Sequence, residues 1–187
     1  MAQQTFTETD SWNTIQEMIA HAKQEMRNDS FYFLLWGWLV LIASLAHFAL
    51  LQTSYEHPYA VWILMIVGAG RTIYRSATTH KKQRVRTYVD KFIVNLWIAV
   101  SVGIVISLLA AGFVTGWQVA YPYLILLYGI GTFLSGTIFK FKPLIFGGII
   151  SWCIALVAFF VSFPIQLLLL ALTVLVAYLI PGYLIKK

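Results

Sequence analysis

Residues 91–114 read KFIVNLWIAVSVGIVISLLAAGFV. Beyond Lys91 the stretch carries no charge. At about 1.5 Å of rise per residue, a helix of this length crosses the roughly 30 Å of hydrocarbon in a bilayer. A helix is also the form in which such a segment satisfies its own backbone groups without water. The rest of the chain is of the same kind. Of its 187 residues, 60% are hydrophobic and 11% charged, against about 45–50% and 25% in soluble domains. A chain of this size cannot hide that much apolar surface from water by folding alone, so lipid must supply part of its solvent. Disorder, a disulfide scaffold and a cytosolic enzyme domain are excluded together, and the single cysteine, Cys153, has no partner for an internal bridge.

Working outward from residues 91–114, five further apolar runs emerge, at about 31–52, 58–76, 118–139, 143–162 and 164–185. Pro58, Pro143 and Pro164 each stand where a helix should begin, the position at which a missing N–H costs nothing. The second run is the weakest, because Arg71 follows Gly70 before the segment has reached membrane length. Most connections are only a few residues long, which makes neighbours antiparallel. Residues 77–90 form the single sizeable loop. The expected fold is all-α: a polytopic membrane protein with a bundle of six transmembrane helices (31–187) behind a leader (1–30). In the leader, residues 11–27 predict a short amphipathic helix, with Trp12, Ile15, Ile19, Ala22 and Met26 recurring at steps of three and four. That helix would lie in the membrane interface or fold against the basic loop.

Lysines and arginines set the expected orientation. Lys23 and Arg27 precede the first run; Arg71, Arg75, Lys81, Lys82, Arg84, Arg86 and Lys91 surround the second connection; Lys140 and Lys142 lie in the fourth; Lys186 and Lys187 close the chain. With six spans, all 13 cations fall on one side. The positive-inside rule then puts both termini in the cytoplasm.

Acidic residues are informative by position. Glu8, Asp10, Glu17, Glu25 and Asp29 precede the first run, Glu56 lies in the first outer turn and Asp90 borders the third run. No carboxylate falls inside an apolar run, whereas coupled transporters and proton pumps ordinarily retain one there. His-Glu-x-x-His, a glycine-rich phosphate loop and Cys-x-x-Cys do not occur. Neither a cofactor nor a metal is expected.

The binding candidates are cationic. Arg71 stands 13 residues beyond Pro58, about 20 Å into the membrane. It either snorkels with Arg75 to inner-leaflet phosphates or faces the bundle to bind an anion or the polar groups of Asn95 or Tyr128. Lys81, Lys82, Arg84 and Arg86 would resemble a nucleic-acid patch in a soluble chain. Beside a membrane span they point to anionic headgroups instead, each worth about 1 kcal/mol, and nucleic acid is not an expected partner. His47, Glu56 and His57 flank the first outer turn; they would form a pH-sensing or metal site, or be interface residues bonded locally. Small residues align as Ala99, Gly103, Ser107 and Ala111, as Gly131 and Ser135, and as Gly147, Ser151 and Ala155. Such stripes let helices approach closely, within one bundle or between two copies. Tyr55, Tyr59, Trp62, Trp117, Tyr121 and Tyr123 read as an aromatic belt at the outer boundary.

Taken with the leader, Leu34-Leu35-Trp36-Gly37-Trp38-Leu39-Val40 and Pro58-Tyr59-Ala60-Val61-Trp62 resemble a group of small, uncharacterised bacterial six-helix membrane proteins. The resemblance implies the bacterial inner membrane and carries no activity with it. The residues themselves favour a non-enzymatic accessory, scaffold or sensory subunit that binds anionic lipid, a membrane-protein partner or a second copy. An uncoupled channel or facilitator for a small or anionic solute is the alternative, and a lipid-modifying enzyme stands third.

Overall fold

The computed structural model of the chain describes residues 8–53, 55–80 and 88–186, and all regular structure among them is helical. Helix α1 runs unbroken from Glu8 to Gln52. The expected leader helix is therefore not a separate element. Asn28-Asp29-Ser30 contains neither glycine nor proline, so nothing at residue 30 interrupts the helix once it has formed. Pro58 opens a 3-10 helix, Pro58–Ile63, that leads into α2, Leu64–His80. Helix α3, Tyr88–Ala110, continues through a π-helical turn, Ala111–Thr115. Gly116 then reverses the chain with φ of 78°, a conformation that favours glycine, and a 3-10 turn, Trp117–Val119, starts α4, Ala120–Ile138. Helix α5 covers Lys142–Ala158. The last rod is α6, Phe163–Val174, a π-helical turn, Leu175–Leu179, and α7, Ile180–Lys186.

Six helical rods thus stand where the six apolar runs lie. Four of them, Ser30–Gln52, Lys91–Thr115, Trp117–Ile138 and Phe163–Lys186, are long and apolar enough to cross a membrane. Helix α5 is apolar but shorter, and α2 carries Arg71 and Arg75. The outward surface matches lipid rather than water: Phe113, Val114 and Phe160 are each more than 80% exposed.

The helices pack where side chains are smallest. In the α4–α5 hairpin, Gly136 lies against the backbone of Ile145 and Gly148 against that of Phe133. Gly147 meets Ala177 in the last rod's π turn, while Gly37 of α1 receives Tyr178 and Leu179. Two buried hydroxyls bond to their own helix: Thr132 Oγ1 donates to Tyr128 O (2.7 Å) and Ser151 Oγ to Gly147 O (2.7 Å), so these two add no unsatisfied group to the core. Gly131, Ser135, Gly147, Ser151 and Ala155 all lie buried in this interior. The α3 stripe divides. Ala111 is buried, Gly103 and Ser107 half-buried and Ala99 exposed, because Trp97 and Val100 fill the notch at Gly131 and Leu127 reaches Gly103.

Helices α2 and α3 stand at the margin. Helix α2 packs on α1, where Gly68 sits under Leu39 and Trp36 Nε1 donates to Thr72 Oγ1 at 3.2 Å. Helix α3 packs on α4, and no comparable contact joins α2 to α3. The space left between them is a cavity.

Candidate functional site

The cavity between α2 and α3 has a volume of about 1660 Å³ and its floor is formed by α1, α4 and the last rod. On α1 its lining runs from Tyr32 to Leu51, which at 1.5 Å per residue is about 28 Å, close to the full hydrocarbon thickness. Val94, Ile98, Val102 and Val105 of α3 both line it and are exposed. It is therefore a cleft that opens sideways, between the two helices.

Arg75 and Ser76 line one end. The Arg75 guanidinium lies 4.0 Å above the centroid of the Phe31 ring. Stacking uses the face of the guanidinium and leaves its N–H donors, which lie in the plane, free to point outward. Among the described residues no carboxylate pairs with it. Arg71, one turn earlier, is exposed and does not line the cleft; it lies about 100° around the helix from Thr72, which does. Asn95 is likewise exposed and outside the lining. The grouping of Arg71 with Asn95 and Tyr128 does not form: only Tyr128 looks into the cleft. Lys81, Lys82, Arg84 and Arg86 lie outside the described residues.

The middle of the cleft is walled by rings. Phe33 and Trp97 are 6.0 Å apart at their centroids, and Tyr178 lies 5.5 Å from Phe33 and 5.4 Å from Tyr128. At the opposite end His47 is buried among Trp62, Tyr121 and Phe163. Trp62 Nε1 donates to His47 Nδ1 at 3.0 Å, and the Tyr121 hydroxyl lies 3.2 Å from the same nitrogen.

The trio of His47, Glu56 and His57 does not assemble. Trp62 and Tyr121 hold His47 inside the bundle, whereas Glu56 and His57 are exposed and His57 Nδ1 bonds with the Tyr59 hydroxyl at 3.0 Å. No group of three or more metal-binding side chains gathers among the described residues. The aromatic belt also splits. Tyr55 and Tyr123 are exposed outside the cleft, Tyr59 and Trp117 are exposed but line it, and buried Tyr121 and half-buried Trp62 line it too.

One residue carried more weight than its surroundings suggested. Gln166, 1% exposed, donates through Nε2 to Gln118 O (2.8 Å), Ala158 O (3.1 Å) and Val161 O (3.2 Å). It ties the start of α6 to two outer turns beside the cleft mouth. Its signal in the sequence was a lone amide in the apolar run FPIQLLLLALTV.

Comparison with known protein families, curated proteins and solved structures finds no match to this chain. The cleft's chemistry is therefore the ground for its function: one cationic end, ring-lined walls and a hydrogen-bonding end.

Proposed function

We propose that the protein is a non-enzymatic, six-span protein of the bacterial inner membrane that admits an anionic lipid between α2 and α3 and holds its headgroup on Arg75. The observation that carries this reading is the sideways-open cleft of membrane length with one stacked guanidinium at its end that pairs with no carboxylate among the described residues. An arginine so placed binds a phosphate through parallel N–H bonds. The volume, about 1660 Å³, exceeds the roughly 300–1,000 Å³ of small-molecule pockets and suits acyl chains against rings. The cation distribution supports cytoplasmic termini, which sets Arg75 at the leaflet richest in anionic lipid. A chain that binds lipid without intramembrane carboxylates fits an accessory or sensory subunit. Routing a solute past Arg71 draws no support from an arginine outside the cleft lining.

Native mass spectrometry of the protein released from phosphatidylglycerol-containing membranes tests this. Arg75→Gln should lower retained anionic lipid about tenfold, the loss of one charge-assisted bond. Arg71→Gln should stay within about twofold of wild type. Equal lipid on wild type and Arg75→Gln would overturn the proposal.

A further inference from the structure

The outer end of the cleft carries a donor whose orientation is dictated by its neighbours. The indole Nε1 of Trp62 can only donate, and it is directed at His47 Nδ1 at 3.0 Å. That nitrogen must therefore be the bare, accepting one, and the ring proton sits on Nε2. The Tyr121 hydroxyl, 3.2 Å from the same Nδ1, reinforces the arrangement when it donates. Nε2 itself has no hydrogen-bond partner among the described residues. The fully enclosed polar atoms without partners are Ser135 Oγ, Trp152 Nε1, Gln166 Oε1 and Tyr178 Oη. His47 Nε2 is not one of them, although the residue is only 4% exposed. The residue lines the cleft. A donor fixed in a ring-walled, water-poor space costs free energy unless something accepts from it.

We infer that His47 is a second subsite of the cleft, one that takes a carbonyl oxygen of a second, lipid-soluble ligand. This rests on the lipid reading of the cleft and specifies what enters it at the end opposite Arg75. Chemistry narrows the class. The subsite offers a neutral N–H, so it selects an acceptor and rejects cations and pure donors. Trp62, Tyr121 and Phe163 surround the imidazole, so the acceptor must be borne by an apolar or flat group. Depth agrees. His47 precedes the end of α1 at Gln52 by five residues, about 7.5 Å along the axis, the zone where lipid carbonyls meet hydrocarbon. Phe31, beneath Arg75, lies 16 residues earlier on the same helix, about 24 Å away. One leaflet's headgroup cannot touch both ends, so the outer subsite is served by an ester carbonyl of an outer-leaflet lipid or by the ring carbonyl of a quinone.

Uncharged probes separate this subsite from Arg75. Binding to the purified protein is measured by native mass spectrometry for dioleoylglycerol against its carbonyl-free diether, and for decylbenzoquinone against decylbenzene. Wild type should prefer at least one carbonyl probe over its counterpart by about fivefold, the worth of one hydrogen bond, and the preferred probe identifies the source. His47→Gln, whose amide N–H falls near the position of Nε2, should keep the preference. His47→Asn, whose shorter amide reaches the position of Nδ1 but not that of Nε2, should lose it. Equal binding of both members of each pair to wild type, or a preference surviving in His47→Asn, would overturn the subsite and leave the cleft standing. No binding of any probe to wild type would remove both.

Discussion

Lys140 closes the α4–α5 turn with φ of 52°, a conformation that ordinarily belongs to glycine. The hydrogen bonds explain why it is held there: Phe141 N–H donates to Gly136 O (2.9 Å) and Lys140 N–H to Thr137 O (3.3 Å), the paired bonds of a Schellman ending. A side chain in this conformation costs about 1 kcal/mol. Lys140→Gly should therefore raise stability by about 0.5–1 kcal/mol, read as a later unfolding midpoint in dodecyl sulfate titration; an earlier midpoint would contradict the strain. Lysine at this place supplies one of the two cations in the fourth connection, so charge at the membrane face is retained at the expense of the turn. The same scale shows where single residues were not legible. Arg71 and Arg75 are one turn apart and share a helix stripe, yet only Arg75 reaches the cleft, because Phe31 of α1 offers it a ring. Nothing in the spacing of α2 reveals what α1 presents at that depth.

Helices came through clearly in the sequence because prolines, glycines and charges punctuate them. Pro58, Pro143 and Pro164 each stand in the opening turn of an observed helix. Two features were hidden. The junction of leader and first span has no breaker, so polarity changes at residue 30 while the helix does not. The α3 stripe of small residues suggested a seam, but large rings compete for the same neighbours, and Trp97 against Gly131 makes the contact instead. In the α4–α5 hairpin it is Gly136 and Gly148, outside those stripes, that bring the backbones together, and this can be tested. A Cβ on Gly148 would come within 2.8 Å of the backbone N and Cα of Phe133. Backbone atoms cannot rotate aside, so Gly148→Ala must separate the two helices. It should cost about 1–3 kcal/mol, as overpacking does. Gly70→Ala, with nothing within 4 Å, should change stability by less than about 0.5 kcal/mol. Both are read in the same unfolding assay, and equal effects would contradict the packing.

For the molecule as a whole, composition and cation placement point to six spans, while the cleft came into view only with the fold. It arises because α2 and α3 each pack on a different neighbour, and no property of either helix alone forecasts a gap between them. Threading is checked by single-cysteine labelling in a Cys153→Ser background. A cysteine at Glu56 should be labelled from outside intact cells and one at Lys140 only after permeabilisation; the reverse pattern would invert the topology. Inversion would carry all 13 cations to the outer face, each forfeiting about 1 kcal/mol of attraction to the inner leaflet. The central claim, that lipid enters between α2 and α3, is tested most directly by photolysis of membranes containing phosphatidylglycerol with a diazirine in its acyl chain, followed by peptide mapping. Trp97, Val100 and Ile104 line the cleft, whereas Ile106 and Leu109 are exposed on α3 outside its lining. The account predicts adducts on Trp97, Val100 and Ile104 that fall sharply in Arg75→Gln. Adducts confined to Ile106 and Leu109, unchanged by that substitution, would contradict it.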